Sequence, residues 1–154
     1  MREKRTLAFE ALDRALERAA RHNERAFAAL AEALWWVCVL NDSFWKGPSG
    51  DDYVARREGD ERGPTLVGLR YARNRLTHDL DLTGMHGLIG GVDLPANFPL
   101  NFGGWVWRRV DDVAPTDRED ANGEGAYRRC LEGHKVEATL RTARDFLVEY
   151  SRSS

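Results

Sequence analysis

The sequence predicts an all-α fold: a bundle of about four main helices, with a small β-hairpin or irregular insertion after the third. Three observations carry this. Residues 1–46 contain neither Pro nor Gly and are dominated by Ala, Leu, Glu and Arg, all good helix formers. Segments 64–82 and 135–150 repeat apolar residues at helical spacing. Between them, 84–115 alternates Gly, Pro and aromatic residues, a pattern that does not sustain a helix.

In chain order, Leu7, Ala8, Ala11, Leu12, Ala15 and Ala19 form the first apolar stripe. One helix over the whole 1–46 stretch would be roughly 60 Å long, while a domain of this size is only about 40 Å across. A break near 21–24 is therefore expected, with Asn23 as a cap, giving a helical hairpin. The second helix carries Phe27, Leu30 and Leu34. Over 33–40 it is apolar all round, which predicts a central position or a subunit interface. Segment 46–64 is charged and rich in Gly and Pro, and predicts a loop.

The third helix is expected from Pro64, a favoured first helical residue, to about 82, with Leu66, Leu69, Leu76 and Leu80 facing the core. Strands are expected at 105–108 and 88–94, as a hairpin or ordered loop laid over the bundle. Trp105 and Trp107 would then point the same way, onto the core or toward a partner. A polar turn at 115–125 precedes a short helix at 126–132. The closing helix at 135–150 has Val136, Leu140, Ala143, Leu147 and Tyr150 on its stripe. No repeat or composition shift divides the chain, so 1–154 reads as one domain, with 46–64 a charged loop and 84–125 an insertion.

Net charge is -2, which does not mark the molecule as a whole for a polyanion. Yet of 23 basic residues, three are lysine (Lys4, Lys46, Lys135) and the rest arginine. The bias fits either genome composition or a surface that grips phosphates with two-point guanidinium bonds. Cys38 and Cys130 form no CxxC pair, so neither a disulfide framework nor a zinc knuckle is expected. The apolar run 33–40 is far short of the roughly 20 residues that cross a bilayer, and no signal-type segment follows the charged start. A cytoplasmic protein without a membrane partner is the expectation. Phosphate loops of the GxxxxGK[ST] type, HExxH and GxSxG are absent from the sequence. His134-x-x-Glu137 has metal-like spacing but no second pair, so no metal or cofactor is expected.

The chemistry concentrates at 73–78. Arg73-Asn74-x-x-x-His78 resembles the RNxxxH signature of HEPN-domain ribonucleases. The looser pattern of Arg followed by His also fits Arg128 and Arg129 with His134, and arises about once by chance in a chain of this composition. Requiring Asn after the Arg lowers that expectation to about 0.02. The order of elements (helical hairpin, motif helix, closing helix) is similar to a HEPN bundle. The resemblance implies a metal-independent endoribonuclease that leaves 2′,3′-cyclic phosphate and 5′-hydroxyl ends. It also implies a homodimer with two motifs in one cleft, and often a toxin or defence role with a protein inhibitor or antitoxin. Arg73 would hold the scissile phosphate, His78 would serve as general acid/base, and Asn74 would orient it. RNA is the expected partner.

The residue types suit that chemistry. Histidine exchanges protons near neutral pH, and a guanidinium stabilises the charge that develops on phosphorus. Arg70, Asn74 and His78 are spaced i, i+4, i+8 and share a stripe. Arg73 and His78 stand about 140° apart around an ideal helix, so the enzymatic reading requires either a bend or a second subunit. Tyr71 and Arg75, beside the motif, would stack on or grip RNA, as would Arg70; a solvated helix face is the plainer reading. Arg108 and Arg109 are further candidates for phosphate contacts. Structural roles also fit: Arg73 paired with Asp42 or Glu32, Asn74 bonding within the bundle, and His78 with Asp79 closing the helix. A non-catalytic HEPN-like bundle that binds nucleotide, RNA or protein is the alternative.

Overall fold

The computed structural model describes residues 2–20, 26–76, 82–85, 104–113 and 120–153. These residues are mostly helical. The elements are α1 (Arg2–Ala19), α2 (Ala26–Trp45), α3 (Gly50–Glu58), α4 (Gly63–Leu76), β1 (Thr83–Met85), β2 (Trp105–Trp107), α5 (Ala121–Cys130) and α6 (Val136–Ser153).

α1 and α2 pack along one another. α1 buries Ala8, Leu12, Ala15, Leu16 and Ala19, the stripe its spacing dictates; Leu7 instead stays exposed. α2 also meets α4 and α6, and this central place buries Ala33, Leu34, Val37, Cys38 and Leu40, while Trp35 on the remaining side stays open to solvent. Over its 20 residues α2 is long and apolar enough to cross a membrane by length and composition, with a mean hydropathy of 1.2. The eight-residue run considered in the sequence understates this. Half of that window is buried within the protein, as in a core helix.

Segment 46–64 departs from the expected loop. Its glycines and prolines stand at the borders and leave 50–58 free to form α3, with Asp51 and Asp52 in the first turn and Arg56 and Arg57 in the last, each complementing the helix dipole. A single apolar anchor holds the helix. Tyr53 is fully buried, donates its hydroxyl hydrogen to Asn41 Oδ1 (2.7 Å), and packs edge-on to Tyr150 at 4.9 Å. One anchor produces no periodicity, so the pattern gave no sign of a helix. Arg62 then ties Asp60 (2.7 Å) to Glu149 of α6 (2.8 Å).

α4 begins at Gly63, one residue before Pro64, and its described part ends at Leu76. The expected continuation toward 82, with Leu80, lies outside the described residues, as do the helix break at 21–24 and the strand at 88–94. The observed hairpin pairs β2 with β1, with Thr83 opposite Trp107 and Met85 opposite Trp105. Trp107 is buried and donates Nε1–H to Thr139 Oγ1 (2.9 Å), while its carbonyl accepts from Gly133 N–H (2.9 Å). Trp105 is half-buried against Phe27, with ring centroids 5.1 Å apart.

The short helix expected at 126–132 instead spans Ala121–Cys130, taking residues from the expected turn. Asp120 caps it, accepting from Gly123 N–H at 2.9 Å. Gly123 and Gly125 read as turn residues in the sequence, but the cap offsets part of their low propensity and burial of Ala126 and Tyr127 adds to it.

Candidate functional site

α4 has two buried faces. Leu66, Leu69 and Ala72 lie in the core on one side. On the other, Gly68 lets the α5 backbone come close: a β-carbon there would stand 3.1 Å from the Tyr127 Cα and N. What remains for solvent is a narrow strip.

Tyr71 and Arg75 do not lie on that strip. Tyr71 is 4% exposed, its ring 5.5 Å from that of Tyr127, and its hydroxyl has no hydrogen-bond partner among the described residues. Burial raises its pKa, and nearby Arg75 offsets this in part. Arg75 is itself 8% exposed. The expected stacking face at Tyr71 and phosphate grip at Arg75 are corrected by this burial: both side chains belong to the α4–α5 interior. The sequence treated the two as flanking a surface motif. The close helix approach at Gly68 turns that side inward.

Arg70, Arg73 and Asn74 remain accessible. Asn74 is exposed, and Arg70 and Arg73 are half-buried. Each arginine lies over a tryptophan of α2: Arg70 is 4.7 Å from the Trp45 ring and Arg73 is 5.9 Å from the Trp35 ring. Both are within cation–π range. The rings stay open to solvent, Trp35 at 52% and Trp45 at 40%. Trp35 belonged to the apolar run read as central or as a subunit interface, and Trp45 was not singled out. The place of each beneath an arginine follows only from how α2 crosses α4.

Arg73 occupies a seam position where a core residue would otherwise stand. Its Nε is buried without a hydrogen-bond partner among the described residues. Cys38 lies beside it, donating weakly to the Leu69 carbonyl at 3.9 Å. Burial pushes the Cys38 thiol up to about 11, against the pull of Arg73. The pairing expected of a structural arginine is not made among the described residues. Glu32 instead pairs with Arg18, and Asp42 accepts from Asn41 Nδ2 at 3.4 Å. His78 lies outside the described residues, two positions past the described end of α4.

Several of the other candidates read from the sequence are engaged in local bonds. Arg128 bonds Asp111 (2.8 Å) and Glu124 (2.9 Å). Glu137 pairs with Arg141 at 2.9 Å. Arg108 donates to the Asp112 carbonyl at 2.9 Å, and Arg109 is exposed. Among the described residues, no three His, Cys, Asp or Glu side chains gather as a metal cluster would. No family model, curated protein or solved structure matches the chain.

Proposed function

We propose that this protein is a metal-independent endoribonuclease of HEPN type, a helical bundle that acts as a homodimer. One observation carries the reading. Arg73, the first residue of the motif, is held at the α4 surface beside exposed Asn74, with no acid neutralising it among the described residues. A purely structural arginine at a core seam would be paired, because an unpaired charge there costs several kcal/mol, about 3–5 when a partner is removed.

In this reading, the guanidinium of Arg73 grips the scissile phosphate. A histidine takes the proton of the 2′-hydroxyl, and the 2′ oxygen attacks phosphorus. The bond to the 5′ oxygen breaks, and that oxygen receives a proton from a second histidine. The products are a 2′,3′-cyclic phosphate and a 5′-hydroxyl. His78 from each of two copies supplies the base and the acid, and Asn74 orients the imidazole. Arg70 adds a phosphate contact. The second copy also answers the angular separation of Arg73 and His78 on one helix.

The alternative is a non-catalytic bundle that docks a protein or nucleotide. One observation favours it: Trp35 and Trp45 each lie open beneath an arginine, a composition common at interfaces. Incubation with total RNA in EDTA, beside His78→Ala, separates the two. The nuclease cuts as wild type and not as the variant. Intact RNA in both lanes from folded protein leaves the docking module.

A further inference from the structure

We propose that a cleft between the start of α1, the α2–α3 turn and the end of α6 binds a small phosphate monoester carrying a flat ring. The site shares none of Arg70, Arg73, Asn74 or His78, and stands apart from the ribonuclease reading. Its volume is about 570 Å³, within the range of sites for small organic ligands. Arg5 of α1 and Arg152 of α6 both line it, and no acidic side chain does so among the described residues. Thr6, Ser49 and Ser151 add hydroxyl donors. Two guanidiniums and three hydroxyls suit the several acceptor oxygens of a phosphate better than the two of a carboxylate. The half-buried ring of Phe9 supplies an apolar wall against which a flat group packs, while Phe44, covered by Arg5, and Tyr150 form the buried floor.

The cleft is built around an anchored cation. Arg5 donates Nε–H to Ser43 Oγ (3.2 Å) and Nη2–H to the Ser43 carbonyl (2.6 Å), and lies 4.3 Å over the Phe44 ring. Gly47 makes room for it, since a β-carbon there would stand 3.0 Å from Arg5 Nη2. The Tyr150 hydroxyl reaches the Ser49 carbonyl at 3.5 Å and braces the turn against α6. An immobilised guanidinium has lost its rotamer freedom before a ligand arrives, which lowers the cost of binding.

The test is an amide NMR titration of the protein with phenyl phosphate, phenol and inorganic phosphate. Phenyl phosphate is expected to shift Ser49, Ser151 and Arg152 saturably, with a Kd on the order of 1 mM. Phenol and inorganic phosphate, each lacking one half of the recognition, are expected to bind at least about tenfold more weakly. Arg152→Ala changes an exposed side chain and is expected to weaken phenyl phosphate about tenfold. Phe9→Ser is expected to weaken it while leaving inorganic phosphate unchanged. Absence of saturable shifts at those amides, or an unchanged affinity in Arg152→Ala, overturns the proposal.

Discussion

Arg73 and Cys38 share one seam and have opposite fates in water. The arginine lies half-buried at the surface edge of α4, while burial pushes the thiol pKa up. Replacing Arg73 by Ala or Lys is expected to lower RNA cleavage by at least about 10²-fold, because an ammonium lacks the two-point fork. Thermal melts of Arg73→Ala should shift by no more than about 1 kcal/mol, since the lost contacts with Trp35 and Cys38 are offset by removal of a partly buried unpaired charge. Cys38 gives a prediction of defined sign. Its thiol pKa is raised from 9.0 to about 11, so the native state holds that proton more tightly than the unfolded chain. The stabilisation is complete below pH 9.0 and fades as pH rises toward about 11. It amounts to roughly 2–3 kcal/mol. Buried Tyr53 and Tyr127 are raised as well and act in the same direction at higher pH. Urea melts through this alkaline window should show stability falling, and less steeply in Cys38→Ala.

Elements here are set by caps and close approaches as much as by periodicity. Asp120→Ala is expected to cost about 1 kcal/mol through loss of the α5 cap. Gly68→Ala should cost about 1–3 kcal/mol by forcing α4 and α5 apart, and equilibrium unfolding measures both. Gly133 has a φ of +74° between α5 and α6 with open space around it, so Ala there meets backbone strain and not a clash. These features explain what the sequence revealed. α1 and α6 were legible because each buries a regular stripe, and α2 because it is long, apolar and free of Gly and Pro. α3 was not, because Tyr53 alone anchors it. The early start of α5 was hidden by glycines that a cap makes tolerable. At the candidate site, Arg73 and Asn74 enter from the motif alone, and the structure adds only that both are accessible. The burial of Tyr71 and Arg75 was not, since it depends on a helix contact made through Gly68. The tryptophans under Arg70 and Arg73 depend likewise on the crossing of α2 and α4.

At the scale of the whole molecule, the account needs two copies. The half-exposed Trp35 beside Arg73 is expected to be covered at the interface between them. Trp35→Glu should therefore shift the protein toward monomer in sedimentation and lower cleavage together with it. Mixing Arg73→Ala with His78→Ala subunits should not restore cleavage, because the shared cleft of a mixed dimer holds one His78 where the reaction uses two, one as base and one as acid. The most direct test is the end chemistry of a defined RNA cut in EDTA by wild type and by His78→Ala. The account predicts 2′,3′-cyclic phosphate and 5′-hydroxyl ends from the wild type and uncut RNA from the variant. Equal cleavage by both proteins, or 3′-hydroxyl ends, would contradict it.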